Sequence, residues 1–227
     1  MIAEASGILN FFTVIKKLCK CAICNVLLSG TVPLMLDGMI GGYNIAEDLS
    51  GDPFFSHMCG FTSDELEFLV ENTLCDEKSG VNHDDLLKRL KESSGAYRFY
   101  DDGAVVYDPS KCMRFLQQLK SGTPQNDVVE TGQADTLMML AKVLQHSLDR
   151  DEVEQIIQAV LNDETIPEDF GHYYFSISEA IKFRRGVLPY MLMSMGFLTR
   201  TDEFHYLKCT STATKDLFAK VKDYLIF

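Results

Sequence analysis

The chain has 227 residues, 46% of them hydrophobic and 24% charged, which is the balance of an ordinary globular protein and excludes a disordered or fibrous one. That length can bury one substantial core, or two small ones sharing an interface. A formal net charge of −12 argues against a nucleic-acid partner, because affinity for a phosphate backbone rests largely on Lys and Arg displacing counterions.

The charge is unevenly spread. Between Thr31 and Asp108 there are 16 acidic residues against 5 basic ones. Such a face reads as solvated surface, with a dock for a basic partner as the alternative. The seven cysteines are odd in number and irregularly spaced, which suits reduced thiols inside a cell, in the cytoplasm. The first ten residues carry Glu4 where an export signal would carry Arg or Lys. The apolar run Ile8 to Ile15 is stopped by Lys16-Lys17 and is too short to span a bilayer, so neither a signal peptide nor a membrane partner is expected.

In chain order, residues 8–18 read as a short amphipathic helix running into Cys19–Cys24. Val26-Leu27-Leu28, closed by Ser29-Gly30, suits a buried strand ending in a turn. Leu34 to Asn44 holds Gly38, Gly41 and Gly42 and reads as an irregular connector. Thr62-x-x-Glu65 is a capping box, starting a helix to about Asn72 with Leu66, Leu69 and Val70 inward. Asp84-Asp85 ahead of Lys88-Arg89 matches the helix dipole, with Leu86, Leu87 and Leu90 as the apolar stripe. Tyr97 to Tyr107 suggests a hairpin turning at Asp101-Asp102-Gly103. Pro109 then opens a helix with Met113, Leu116 and Leu119 on one face.

The polar stretch Ser121 to Gly132 is the best internal boundary. Beyond it, Leu137, Leu140, Ala141 and Leu144 repeat at helical spacing, as do Val153, Ile156, Ile157 and Val160. Val187 to Met195 is a further apolar helix with Gly196 as its C-cap. Two strand-like runs flank Thr201-Asp202, and Ser211-Thr212 caps a last helix through Phe227. Helix, hairpin and helix in that order is winged-helix-like, with Arg200 and Lys208 as the bases of the wing. Met138-Met139 and Leu192 to Met195 read as core.

Five short pieces, in order, resemble the AAA-ATPase-like family, predicted P-loop ATPases often fused to a restriction-endonuclease-like nuclease domain. They are Leu28-Ser29-Gly30-Thr31-Val32-Pro33, the stretch Asn44 to Thr62 ending in Cys59-Gly60-Phe61-Thr62, Tyr97-Arg98-Phe99, Val106-Tyr107-Asp108-Pro109, and Leu188 to Leu207 with Gly196-Phe197-Leu198-Thr199. The resemblance covers roughly Val26 to Leu225 and implies the second half of an ATPase module. No Gly-x-x-x-x-Gly-Lys-Ser/Thr occurs in the chain, and the roughly 25 residues before Val26 are too few for the nucleotide-binding core. The resemblance also implies two vestiges of nucleotide sensing: Ser29 at a strand end and Arg98 in a helical lid. The alternative is that Ser29 is a turn residue and Arg98 pairs with a neighbour such as Asp101.

Cys19-x-Cys21-x-x-Cys24 is the one metal-like cluster. Zinc wants four ligands, so a fourth would have to come from elsewhere, His57 and Cys59 being nearest in sequence; a chance cluster is favoured. The five histidines fall in five different elements and no nucleophile elbow accompanies them.

The expected fold is α+β and mainly helical. It would comprise an N-terminal helix with a strand remnant of a P-loop sheet (1–62), a helical lid-like region (63–132) and a winged-helix-like C-terminal region (133–227). The expected function is that of a degenerate AAA-ATPase-like domain without autonomous ATP hydrolysis, acting as a protein-interaction module with a protein partner or as a homo-oligomer. One alternative is half of an ATP and magnesium site completed by another chain. The other is a zinc-stabilised binding protein.

Overall fold

The computed structural model describes residues 2–21, 26–27, 34–35, 49, 52–73, 82–100, 103–121, 133–147, 149–168, 175–176 and 187–225. Helix α1 spans Ile2–Cys21, longer at both ends than the expected 8–18. The strand expected at Val26-Leu27-Leu28 is not there. Val26 and Leu27 lie outside any strand and are exposed, and Leu28 falls outside the described residues. A two-residue strand β1 (Leu34–Met35) appears instead at the start of the stretch read as a connector, where Leu34 aligns with Phe175 in a parallel pair. Two residues are too few for hydrophobic patterning to register.

A first core is built by three helices. In α2 (Ser63–Thr73), Leu66 and Val70 are fully buried. Its capping box forms as expected: the Thr62 amide donates to Glu65 Oε2 at 2.8 Å, and the Glu65 amide donates to Thr62 Oγ1 at 3.3 Å. Helix α3 (His83–Ser94) starts at Asn82, whose side chain accepts from the Asp84 amide, and buries Leu86 and Leu90. Strands β2 (Ala96–Tyr97) and β3 (Val106–Tyr107) pair antiparallel, Ala96 opposite Tyr107. The expected turn at Asp101-Asp102 lies outside the described residues.

In α4 (Pro109–Ser121), Asp108 caps the first turn by accepting from the Ser110 amide at 2.8 Å. Its inward face corrects the sequence reading. Cys112 and Leu116 are buried, whereas Met113, one residue round the helix, is 44% exposed. A small thiol lets α3 and α4 approach closely, where a methionine would hold them apart.

The second core is larger. Helices α5 (Gln133–His146) and α6 (Arg150–Leu161) pack on the last helix, α8 (Thr212–Tyr224). Buried in it are Leu140, Leu144, Val153, Ile156, Ile157, Val160, Leu217, Phe218 and Val221. Met138 and Met139, expected in the core, lie on the outer side of α5 and are exposed; Leu140 takes the inward position. Asp149 caps α6 and Ser211 caps α8.

Between these helices runs β4 (Ile166–Pro167), a second short strand β5 (Phe175–Ser176), helix α7 (Val187–Ser194), then the hairpin β6 (Leu198–Arg200) and β7 (Tyr206–Cys209). The sheet order β4-β7-β6 is antiparallel throughout, which with the flanking helices gives the winged-helix-like arrangement. Helix α7 ends in a Schellman motif, Phe197 N–H to Leu192 O at 2.8 Å and Gly196 N–H to Met193 O at 2.9 Å, with Gly196 at φ +80°. The fold is α+β and mainly helical.

Candidate functional site

The segments Tyr97-Arg98, Val106-Tyr107-Asp108 and Gly196 to Thr199 converge where the two cores meet. Strand β2 lies beside β6. The Ala96 amide donates to Thr210 O at 3.3 Å, and the Arg98 amide donates to Thr199 Oγ1 at 2.7 Å. Thr199 is buried and Arg98 half-buried, and their hydrogen bond stitches the helical region to the sheet.

The Arg98 guanidinium donates to the Thr201 carbonyl at 3.3 Å and pairs with Asp202 at 2.5 Å. Arg98 therefore pairs within the turn of the β6–β7 hairpin; Asp101, the neighbour considered from sequence, lies outside the described residues. Arg98 is largely buried and Asp202 is exposed. A guanidinium held this way orients the hairpin turn by its fork geometry more than by ion-pair energy, since pairs with an exposed partner contribute little.

Tyr97 fills the joint. Its ring lies against Gly95 and Gly196: a Cβ built on Gly95 would sit 3.3 Å from the ring, and one on Gly196 3.4 Å. Burial pushes the phenol above its ordinary value, Lys111 partly offsets this, and Asp108 adds to the rise. The side chains of Lys111 and Thr210 also act on the hydroxyl and draw the value back down. Nearby, the Cys112 thiol donates to Ser94 Oγ at 3.1 Å, and burial raises its pKa. These groups are set up to hold protons and structure, because a buried thiol with a raised pKa is a poor nucleophile.

A further charged group sits inside the sheet. Arg200, expected as an exposed wing base, is 7% exposed and bonds Glu168 Oε1 at 2.9 Å; the Glu168 side chain is fully buried. Glu168 follows β4 and Arg200 ends β6, so the pair spans β7 and locks the sheet from both sides. Sequence reading missed Glu168 because nothing in its local pattern signals a partner 32 residues away. The removal of Arg200 from the surface leaves Lys208 as the exposed base of the hairpin.

Four exposed aromatics adjoin this joint in sequence. Phe99 and Tyr100 follow Arg98, and Phe204 and Tyr206 follow Asp202, so the Arg98–Asp202 pair fastens one aromatic-bearing segment to the other. Phe204 is 59% exposed and contacts the His205 ring edge-on, with His205 at φ +64°.

Of the other candidates, Ser29 and Cys24 lie outside the described residues. Cys19 is half-buried and Cys21 exposed, both at the end of α1, and His57 and Cys59 are exposed near α2. Among the described residues, no group of three or more His, Cys, Asp or Glu is placed to hold a metal ion. No described helix is long and apolar enough to cross a membrane. Compared with protein families, curated proteins and solved structures, the chain finds no match.

Proposed function

We propose that this chain is a protein-interaction module related to AAA-ATPase-like proteins, without ATP hydrolysis of its own. The observation that carries the reading is the engagement of Arg98. Its amide, its guanidinium and the adjoining Tyr97 all serve the joint between the two cores, which supports a structural role for the family-like pieces. The absence of a Walker A sequence supports the same reading, because backbone amides and a lysine are what cradle a triphosphate. Exposed Phe99, Tyr100, Phe204 and Tyr206 give the joint an outward aromatic rim of the composition that protein interfaces favour. The acidic residues Asp202 and Glu203 beside that rim suit a partner with basic residues there.

Calorimetric titration of the chain with MgATP tests the reading. The expected result is no binding heat and no phosphate release. Micromolar affinity that disappears in Arg98→Ala, while the variant keeps the wild-type helical spectrum, would overturn it in favour of a site completed by a second chain.

A further inference from the structure

The charge of this protein is polarised in a way the overall −12 conceals. From Ala5 to Leu36 there is no Asp or Glu at all, and Lys16, Lys17 and Lys20 fall within five residues of one another. The remainder of the chain holds all 33 acidic residues against 18 basic ones. The acid-free stretch contains most of α1, which puts three large apolar side chains on one side. Phe11, Val14 and Leu18 are 59%, 53% and 43% exposed, and at 3.6 residues per turn they lie within an arc of about 60°. Cys21 continues that ridge, and exposed Val26 and Leu27 come after the helix end. Lys17 and Lys20, both exposed, lie along one flank of the ridge.

We propose that α1 docks this protein on an anionic membrane surface, lying flat with Phe11, Val14 and Leu18 in the headgroup boundary and Lys17 and Lys20 among the phosphates. An apolar ridge flanked by lysines, in a stretch of sequence that holds no acid, is the pattern that binds lipid interfaces through apolar burial plus electrostatic attraction. The lysine stems add to the apolar contact while their ammonium groups reach the headgroups. The acidic body does not forbid this contact, since repulsion is screened beyond about 8 Å at physiological salt. The lysine flank suits an anionic surface, and contact of this ridge with the acidic body of a second copy is the outcome the test separates from lipid binding. The lysines that end the apolar run, and so argue against a spanning segment, are the residues that suit an interfacial one.

Co-sedimentation of the full chain with vesicles tests the proposal. Vesicles of phosphatidylcholine with about one-third phosphatidylserine are expected to bind it, and phosphatidylcholine vesicles to bind at least about tenfold more weakly. Each lysine near the surface is worth about fivefold in affinity, so Lys17→Glu with Lys20→Glu should lower binding by well over tenfold. Leu18→Glu should abolish it, and because Leu18 is already exposed the variant keeps its helical spectrum. Absence of binding to the anionic vesicles, or binding that survives Leu18→Glu, overturns the proposal. So does lipid-free dimerisation that Leu18→Glu reverses without any vesicle binding, which would assign the ridge to a second copy.

Discussion

Two apolar helices sit towards opposite ends of the chain, and the structure treats them oppositely. From sequence, α1 reads as an amphipathic helix and α7 as an apolar one. In α7, Leu188 and Leu192 are fully buried and Pro189, Tyr190 and Met191 nearly so. In α1, Phe11, Val14 and Leu18 remain about half exposed. The difference lies in how the chain leaves α7. The Schellman turn at Gly196 reverses its direction, so that β6 lands directly on α7, and Leu217 and Phe218 of α8 close the same core. Apolar content decides that a helix wants a partner; the capped return decides that α7 gets one.

The largest expected effects break the buried side of that contrast. Arg200→Ala leaves the Glu168 carboxylate in the interior without its guanidinium and is expected to cost about 3–5 kcal/mol in chemical denaturation. Leu192→Ala removes a fully buried side chain and is expected to cost about 2–5 kcal/mol, whereas Leu18→Ala should stay within about 0.5 kcal/mol of wild type. Equal costs at Leu18 and Leu192 would mean that α1 is packed after all.

A second contrast concerns a glycine pressed against a strand. Gly60, at φ +128°, lies so close to β3 that a Cβ there would be 2.7 Å from Val106 Cβ. Gly60→Ala therefore combines strain with overlap and is expected to destabilise the first core by about 1–3 kcal/mol. A neutral result in thermal unfolding would show that the bridge between Phe61 and Tyr107 yields easily.

The helix ends and caps were legible because their signals are local. Thr62-x-x-Glu65, Pro109, Gly196 and Ser211 each act within a few residues of themselves, and each is found doing so. The winged-helix-like order of α7, β6, β7 and α8 was readable for the same reason. Sequence could not supply pairing at a distance. Glu168 with Arg200, Arg98 with Thr199, and β1 with β5 join residues 32, 101 and about 140 positions apart, and no periodicity reports them. The errors at Met113, Met138 and Met139 share another cause: an unbranched apolar side chain fits either side of an amphipathic stripe, and neighbours settle which. Val26-Leu27 misled because a short apolar run looks the same whether buried or bare.

Smaller effects sharpen the local end of the comparison. Thr62→Ala should cost about 1 kcal/mol through loss of the α2 cap. The Thr62 amide, then its hydroxyl, hold the Glu65 carboxyl below its ordinary 4.5. A lowered pKa stabilises the fold above the ordinary value and ceases to as pH falls through the lowered one. Thr62→Ala keeps the amide and loses only the hydroxyl, so the part of the gap between the two proteins that comes from the hydroxyl should narrow as pH falls below 4.5, measured by urea unfolding across pH.

Thiol labelling separates the regions with no change in stability at all. Cys21 and Cys59 are exposed and should react with iodoacetamide first. Burial raises the pKa of Cys112 and Cys209, so these should react only as the protein opens. Early labelling of Cys112, read by peptide mass, would indicate that the contact between α3 and α4 is loose.

The central claim is that Arg98 and its neighbours form a joint between the two cores, and amide hydrogen exchange on Thr199→Val tests it most directly. Removing the hydroxyl deletes the acceptor for the Arg98 amide. The account predicts that protection falls at Arg98 and Ala96 in one core together with residues 198–201 in the other, while α5 and α6 keep theirs. A change confined to residues 198–200, with the Arg98 amide as protected as before, would contradict it.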